Sequence, residues 1–203
     1  MYRSYIKRML DIVFAIITLP VVLLVCIVFG ALIWLEDRGN IFYKAKRRGL
    51  NGRPFTMYKL RSMYMNSPDI RNKDLSTFNS ASDVRVTRIG RILRKTSVDE
   101  LPQILNILKG DMSWVGPRPI TTERPMEEFD EKRLKRLTVR PGITGYQQAY
   151  YRNSIDQETK FELDAKYAEE VSFLMDVRII LKTIQTVVLQ KNIYNQNNDK
   201  EGK

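Results

Sequence analysis

The most regular hydrophobic pattern in the chain is an uncharged, apolar run over residues 12–35, close to the N-terminus. At about 1.5 Å per residue in an α-helix, this run is long enough to cross the apolar core of a bilayer, for which about 20 residues suffice. A secretory signal peptide is disfavoured, because the run exceeds the usual apolar region of such peptides and no small-residue cleavage pattern follows it. The pattern therefore predicts a helix inserted in a membrane.

Both flanks of this run are basic. Arg3, Lys7 and Arg8 precede it, and a second basic cluster begins at Arg38. A single span would place one cluster outside, against the preference for positive charge on the cytoplasmic side, whereas a helix that enters and turns back keeps both inside. Pro20 provides a place for such a turn, because it lacks a backbone donor and clashes with the preceding turn. An ordinary kinked span also tolerates a proline, so both courses stay open.

Beyond residue 35 the hydrophobic pattern predicts no further membrane span. Extended segments at residues 40–43 and 53–58 flank Asn51-Gly52, a strong tight-turn signal, and predict a β-hairpin. Basic and apolar residues alternate over residues 85–94, and on a helix they form a basic face. Such a helix lies on anionic lipid headgroups or lines a substrate site, and the two interpretations are compatible.

The C-terminal half is predicted to be mainly helical. Apolar spacing predicts helices at residues 156–171 and 173–189, the second packed on the core or lying at the membrane surface. Residues 66–83 are polar and predict a mobile loop, and the polar residues 192–203 predict a disordered tail.

Between these regions, two adjacent carboxylates precede a short amphipathic pattern. Apolar residues at helical spacing predict a helix at residues 101–109: they are Leu101, Ile104, Leu105 and Leu108. Pro102 fits only a first turn, and Gly110 follows the last apolar residue as a C-cap glycine does. Asp99 and Glu100 then lie at the N-terminal end, where free N–H groups and the helix dipole favour ionised carboxylates.

The ordinary interpretation of this carboxylate pair is helix capping. The segment from Ser97 to Glu100 matches a capping box, and Asp99 alone would be a good N-cap residue. Because a capping carboxylate and a catalytic one can occupy the same place, the position of the pair does not decide between the two roles.

Composition restricts the chemistry that the chain can perform. It has no histidine and one cysteine, Cys26, within the apolar run. A Ser-His-Asp or Cys-His mechanism, a histidine base, a Cys/His zinc site and a structural disulfide are thereby excluded. A net charge of +11 and a pI near 9.8 indicate an anionic partner: nucleic acid, an anionic membrane surface or a phosphorylated small molecule. Asp and Glu with Mg²⁺ suit phosphate chemistry.

Two further segments restrict the backbone. Pro117 and Pro119 hold Arg118 between residues of fixed φ, an arrangement that suits a phosphate clamp or a plain rigid turn. Residues 139–146 contain two glycines and predict a tight turn where the backbone can approach a ligand closely.

These motifs, in this order, resemble the small monotopic polyprenol-phosphate phosphoglycosyl transferases, bacterial enzymes that begin the assembly of membrane-linked glycans. The resemblance extends from about Lys7 to Leu189. Besides the basic N-terminus and the proline-interrupted apolar segment, it rests on these blocks: Lys59-Leu60-Arg61-Ser62-Met63, Thr96-Ser97-Val98-Asp99-Glu100-Leu101-Pro102-Gln103, Leu108-Lys109-Gly110-Asp111-Met112-Ser113, Val115-Gly116-Pro117-Arg118-Pro119, Val139-Arg140-Pro141-Gly142-Ile143-Thr144-Gly145 and Phe161-Glu162-Leu163-Asp164.

The resemblance implies a reaction. A sugar 1-phosphate moves from a UDP-sugar to a polyprenol phosphate such as undecaprenyl phosphate, UMP is released, and the reaction requires Mg²⁺. Carried to this sequence, Asp99 is the nucleophile that forms a covalent phosphosugar intermediate. Nucleic acid is not an expected partner.

The resemblance also implies an architecture. The expected fold is α+β and mostly helical, with a re-entrant membrane helix broken at Pro20 (residues 1–36), a catalytic domain with a small β-hairpin (residues 37–191) and the tail. Amphipathic interfacial helices surround an active site on the cytoplasmic face of the bacterial inner membrane, against anionic lipids. The usual Ser-Pro pair at the break is Leu19-Pro20 here.

Further residues receive roles under this hypothesis. Lys59, Arg94 and Arg118 offset the phosphate charge, and Glu100 helps Asp99 to hold the metal or orients it. Asp164 supports the metal or a basic partner. Further candidates for nucleotide binding are Arg140, Gly142, Gly145 and Arg152. A non-catalytic, membrane-anchored protein that binds nucleic acid or anionic lipid is the alternative, but it does not explain the carboxylate pair among arginines.

Overall fold

The structure is a computed structural model that describes residues 1–70, 78, 80, 82–152 and 154–189. The tail predicted at residues 192–203 and part of the loop predicted at residues 66–83 lie outside the described residues. The α-helices are α1 (Lys7–Asp37), α2 (Arg88–Thr96), α3 (Ile104–Lys109), α4 (Glu131–Arg136), α5 (Tyr146–Tyr150), α6 (Gln157–Glu170) and α7 (Phe173–Val188). The strands are β1 (Phe42–Arg48), β2 (Pro54–Leu60), β3 (Ser113–Val115), β4 (Ile120–Thr121) and β5 (Gly142–Thr144). The mostly helical α+β class is thereby confirmed.

The N-terminal apolar run forms a single long helix. A short π-helix, Tyr2–Ile6, leads into α1, and Pro20 lies inside α1. The break expected at Pro20 does not divide α1 into two helices. The proline removes one backbone hydrogen bond, but the helix continues past it. Within the described residues, this is the one helix long and apolar enough to cross a membrane, and only 11% of its apolar window is buried in the protein.

Helix α1 contacts the rest of the protein along one face. Ala15 and Val22 pack in a core cluster with residues of β2 and α3. Ile33, near the other end, packs with Leu60 and Leu93. Contacts therefore occur in both halves of the helix.

Polar contacts fix both ends of α1. The Arg8 guanidinium donates to the Ile107 carbonyl at 2.7 Å, at the C-terminal end of α3 where a cation is favourable. Asp11 accepts from the hydroxyl of Ser113 at 2.9 Å. At the far end, Asp37 accepts from the Arg61 guanidinium at 2.8 Å. These contacts hold the helix on the domain at both of its ends.

The predicted β-hairpin is confirmed. Strands β1 and β2 pair antiparallel from Phe42 opposite Leu60 to Arg48 opposite Pro54. Asn51 and Gly52 in the connection have φ of +54° and +75°, the left-handed values that asparagine and glycine tolerate best. A third strand, β4, pairs antiparallel with β1 and was not predicted.

The glycine-containing segment at residues 139–146 is corrected by the structure. Part of it forms β5, which pairs parallel with β3, rather than a tight turn. A Cβ atom at Gly142 would lie 2.2 Å from the backbone nitrogen of Gly116, and one at Gly145 would lie 2.2 Å from the Gly116 carbonyl oxygen. The close approach is therefore between two segments of this chain.

Two C-terminal helices confirm the helical predictions for residues 156–171 and 173–189. Helix α6 begins at Gln157, and the carboxylate of its N-cap residue, Asp156, accepts from the backbone N–H of Thr159. Helix α7 buries Ile179 in a core with Val115 and Tyr167. Its opposite side exposes large apolar side chains, a pattern typical of a helix at a membrane surface: Phe173, Leu174, Leu181, Ile184 and Val188.

Candidate active site

The two adjacent carboxylates do not cap a helix. They lie in the first turn of a 3-10 helix, Val98–Gln103, which continues directly into α3. Ser97 precedes it with a left-handed φ of 59° and makes no side-chain capping bond. Within the described part of the chain, no residue donates a hydrogen bond to the Asp99 carboxylate. The capping interpretation is therefore wrong, and the helix predicted at residues 101–109 is α-helical only from Ile104.

Helix α2 fixes the place of the carboxylate pair. Thr87 caps it by accepting from the backbone N–H of Gly90 at 2.9 Å. Gly90 packs so closely on the segment after β2 that an added Cβ atom would lie 2.0 Å from the Ser62 carbonyl oxygen. Arg94 Nε donates to Ser62 Oγ at 3.0 Å. Helix α2 is thereby held against the segment that follows Lys59, and it ends at Thr96, shortly before the pair.

Glu100 is already neutralised by cations. Lys59 Nζ donates to Glu100 Oε1 at 2.6 Å, and an Arg118 guanidinium nitrogen lies 3.6 Å from the same oxygen. Burial alone would raise the pKa of Glu100, but the charges of Lys59 and Arg118 outweigh it and lower that pKa to about 2. Glu100 is therefore held as a paired anion.

Asp99 has a different environment. Burial, together with the charge of Glu100, raises the pKa of Asp99 to about 6, although Lys59, Arg94 and Arg118 oppose the shift. Asp99 is mostly ionised at neutral pH and, unlike Glu100, is not engaged in an ion pair with the described residues. The pair thus combines one neutralised carboxylate with one that is available to a ligand.

The pair lies in a large cleft of about 1940 Å³. Predicted site residues that line it are Lys59, Arg94, Asp99, Glu100, Arg118, Gly142, Arg152 and Asp164. Cations predominate among their charged side chains, which makes the cleft suitable for polyanionic ligands such as diphosphates.

Two predicted residues lie elsewhere. Arg140 does not line the cleft, and its Nε donates to the Gly110 carbonyl at 2.9 Å, at the C-terminal end of α3. Gly145 does not line it either, and precedes α5 where it packs on Gly116. Arg140 and Gly145 therefore connect segments of this chain to each other instead of lining the cleft.

Arg118 is held by a buried ion pair that sequence reasoning missed. Arg136 donates through one nitrogen to the Arg118 carbonyl and to Asp164 Oδ2, each at 2.6 Å. Both Arg136 and Asp164 are almost fully buried, and Arg136 lies over the Phe161 ring at 5.1 Å. The structure thus gives Asp164 a basic partner. Arg136 lies in a charged run that resembles a solvated helix, so its sequence carried no signal for this contact.

Arg152 joins the site from α5. One of its guanidinium nitrogens donates to Ser97 Oγ at 3.0 Å, two residues before Asp99. Burial lowers the pKa of Arg152, while the charges of Glu100 and Asp99 raise it. The bond connects the end of α5 to the start of the 3-10 helix.

The donor set suits a hard metal ion only in combination with a ligand. Among the described residues there is no group of three or more histidine, cysteine, aspartate or glutamate side chains that can hold a metal. Mg²⁺ is usually bound by one or two carboxylates together with substrate phosphates and water. The uncommitted carboxylate of Asp99, with Glu100 beside it, fits that mode of binding.

Comparison with known proteins places the chain in a family. The family model for bacterial sugar transferases matches residues 2–190. The uncharacterized sugar transferase EpsL of Bacillus subtilis (strain 168) is 39% identical over 192 residues, covering 95% of this chain and 92% of EpsL. The galactosyl transferase CpsE of Streptococcus agalactiae serotype III (strain NEM316) is 42% identical over 192 residues, covering 90% of this chain and 42% of CpsE.

A third relative is named for its reaction. The UDP-N-acetylgalactosamine-undecaprenyl-phosphate N-acetylgalactosaminephosphotransferase of Aeromonas hydrophila is 38% identical over 191 residues, covering 91% of this chain. The present chain spans less than half the length of that relative and of CpsE, but nearly all of EpsL. The match over nearly the whole chain confirms the resemblance seen in the motifs: this protein belongs to the family of bacterial sugar transferases.

Proposed function

We propose that the protein transfers a sugar 1-phosphate from a UDP-sugar to undecaprenyl phosphate, giving a polyprenyl diphosphate sugar and UMP, as the first membrane step of a polysaccharide or other glycoconjugate. The name of the Aeromonas relative supports this donor and this acceptor. The observation that carries the proposal is the unequal pair: Glu100 is bound by Lys59, whereas Asp99 remains ionised and uncommitted in a cationic cleft.

In the first step, a carboxylate oxygen of Asp99 attacks the phosphorus that bears the sugar. The bond from that phosphorus to the bridging oxygen breaks, and UMP leaves with the electron pair. A phosphate oxygen of the lipid then attacks the aspartyl phosphate and regenerates the Asp99 carboxylate. Neither step needs a proton acceptor, because both attacking groups are already anions, and this agrees with the absence of histidine.

The basic residues make this attack feasible. An anionic carboxylate and a diphosphate repel each other, so positive charge must offset the repulsion. Lys59, Arg94 and Arg118 supply it from three different segments of the cleft. Asp99 and Glu100 are the residues that would hold Mg²⁺ against the diphosphate, where the ion would neutralise further charge. Arg152 and Gly142 line the same cleft and are available to the nucleotide.

The membrane part of the proposal is that α1 enters the cytoplasmic leaflet of the bacterial inner membrane and returns to the same face. Support comes from its ends, since Arg8 near the start and Asp37 at the end both contact the catalytic domain. The basic clusters on both flanks favour the same arrangement. The exposed apolar side of α7 would then lie at the boundary between lipid headgroups and acyl chains, with basic residues of the protein facing the anionic headgroups.

The test is an incubation of purified protein with a UDP-sugar and Mg²⁺ but no lipid acceptor. UMP release and an intact-protein mass increase of one sugar phosphate are expected, and Asp99→Asn should abolish both. Asp130→Asn is the matched control, because Asp130 caps α4 at an exposed position and asparagine caps equally well.

The proposal fails if active protein yields neither UMP nor adduct from a panel of UDP-sugars, or if Asp99→Asn protein still forms the adduct. A sequential mechanism, with Asp99 only as a metal ligand, would instead show intersecting rather than ping-pong kinetics when the lipid is added.

A further inference from the structure

Two buried glutamine amides in the cleft lack hydrogen-bond partners. Gln103 is 2% exposed and Gln147 is 3% exposed, and both line the cleft that contains Asp99. No described residue forms a hydrogen bond with either side-chain amide. The amide atoms are nevertheless not completely sealed from solvent. Buried polar groups are nearly always paired in native proteins, so two open amides in one cleft are best explained as ligand contacts.

The neighbouring polar groups form hydrogen bonds within the protein, with one exception. Gln148, next to Gln147, donates through Nε2 to the Ile143 carbonyl at 3.1 Å, but its buried Oε1 has no partner among the described residues. On the same wall, the hydroxyls of Thr144 and Thr183 lie 2.6 Å apart and are bonded to each other. Among the described residues, the amides of Gln103 and Gln147 thus lack partners at both atoms, whereas Gln148 lacks one only at its oxygen and the two hydroxyls bond each other.

The chemistry of an amide differs from that of the rest of the cleft. It is uncharged and offers both donors and an acceptor, whereas the lysine and arginines offer donors and positive charge. Phosphate oxygens are served by the cations. The hydroxyl or acetamido groups of a sugar, which both donate and accept, match the amides.

The position of Gln103 indicates which part of the donor it meets. It follows Asp99 by four residues on the same 3-10 helix, about 8 Å along the axis. The sugar is bonded to the phosphorus that Asp99 attacks, whereas ribose and a second phosphate separate the uracil from it. A sugar ring on that phosphorus can bridge the distance to Gln103.

Gln147 belongs to a neighbouring wall. Helix α5 carries it, and the Arg152–Ser97 hydrogen bond joins the end of α5 to the start of the 3-10 helix. Ile143, just before α5, packs in the same core cluster as Ile104, the residue after Gln103. The two amides are thus carried by elements that these contacts connect to each other.

We propose that Gln103 and Gln147 bind the sugar of the donor and determine which sugar is accepted, an inference that rests on the proposed transfer. Their hydrogen bonds discriminate between donors because a sugar without the matching group would leave a buried amide unpaired. Both glutamines are specificity residues and neither takes part in the attack.

The test uses Gln103→Met and Gln147→Met, since methionine keeps the length and unbranched shape of glutamine but loses its hydrogen bonds. UMP release is measured with UDP-glucose, UDP-galactose and their 2-acetamido analogues in the presence of undecaprenyl phosphate. Each variant should lose about tenfold in kcat/KM for the preferred donor and should discriminate less among the donors. The inhibition constant of UMP, which carries no sugar, should stay unchanged. Gln185→Met, at an exposed position of α7 outside the cleft, is the control.

Two results would overturn the inference. One is an unchanged ratio of kcat/KM values among the donors in both variants. The other is a rise in the UMP inhibition constant that matches the loss of kcat/KM, which would assign the amides to the nucleotide. A variant that shows no cooperative thermal unfolding transition is misfolded, and the other glutamine then decides.

Failure of the proposed transfer gives a different result. Wild-type protein would then release no UMP from any donor. Binding of the same donors to Asp99→Asn protein, with and without each glutamine substitution, would still show whether the amides select the sugar.

Discussion

The unequal carboxylate pair predicts that two similar substitutions have opposite effects on stability. Asp99→Asn removes a buried charge whose pKa is raised, so folding no longer has to bury an ionised carboxylate where the charged form is unfavourable. Glu100→Gln removes a charge whose pKa is lowered and leaves Lys59 without its 2.6 Å partner. We therefore expect the first substitution to stabilise the protein and the second to destabilise it.

The size of each effect follows from the shifts. A rise of the Asp99 pKa from 3.8 to about 6 corresponds to about 3 kcal/mol at a pH well above 6, at about 1.4 kcal/mol per unit. The fall of the Glu100 pKa from 4.5 to about 2 corresponds to a similar free energy of opposite sign. For a chain of this length, 3 kcal/mol changes the melting temperature by about 6–12 °C.

The pH dependence separates the two effects. The folded-state pKa of Asp99 is raised, so the stability that its protonation provides is present below about pH 4 and is lost as pH rises through about 6. The advantage of Asp99→Asn is thus full near pH 8, about half as large near pH 5 and absent in stronger acid. The Glu100 contribution is present above pH 4.5 and lost only as pH falls towards 2, so Glu100→Gln destabilises at both pH values.

The assay is thermal unfolding in detergent micelles, followed by tryptophan fluorescence, with EDTA present so that no metal ion stabilises the pair. Trp114 is a suitable reporter, because its indole N–H donates to the Asp11 carbonyl at 3.2 Å and so reports contact between α1 and the domain. Asp130→Asn again serves as the control. The reasoning is refuted if Asp99→Asn melts below wild type near pH 8, or if both substitutions change the melting temperature in the same direction.

Three further predictions concern the reaction and the packing. The UMP burst measured by rapid quench without lipid should slow as pH falls through about 6, because Asp99 becomes protonated, and a rate constant that does not vary would contradict an Asp99 nucleophile. Arg136→Lys should raise KM for the UDP-sugar more than it lowers kcat, since lysine loses the second bond to Asp164, from Nε at 3.1 Å, and the planar group over Phe161, so Arg118 is held less firmly; steady-state kinetics measure this, and an unchanged KM argues against it. Gly90→Ala should lower the melting temperature by several degrees, because its Cβ would meet the Ser62 carbonyl oxygen at 2.0 Å, and a wild-type melting temperature would show that α2 can move away without cost.

Local sequence signals predicted the elements that local interactions define. Helix α1 follows from its apolar run, the β1–β2 hairpin from Asn51-Gly52, and α6 and α7 from apolar spacing. Strands β3 and β5 were missed, because each has three residues and exists only through pairing between Ser113 and Gly142 and between Val115 and Thr144. A pattern of three residues has no periodicity from which a strand can be inferred.

The same distinction applies to the candidate site. Adjacent charges in the sequence drew attention to Asp99 and Glu100, but nothing local shows that Lys59 binds only one of them. The Arg136–Asp164 pair joins residues of different helices, so neither position alone indicates it. Gln103 and Gln147 carry no charge and stand out only when burial and missing partners are known. The presence of carboxylates among basic residues was predictable from the sequence. The ion pair with Lys59 that distinguishes Glu100 from Asp99 was not.

The C-terminal end of α1 contacts both segments that form the site. Glu36 accepts from the backbone N–H groups of Arg88 and Ile89, in the first turn of α2, at 2.7 and 3.2 Å. Asp37 pairs with Arg61, two residues beyond Lys59.

Because α2 ends just before Asp99, these two consecutive carboxylates hold the segment that leads to the proposed nucleophile and the segment that carries its principal cation. A lipid phosphate has to reach Asp99 from the bilayer surface under the proposed reaction. Under this proposal, α1 both enters the bilayer and sets the height of Asp99 above it, and a displacement of α1 would move Asp99 and Lys59 together.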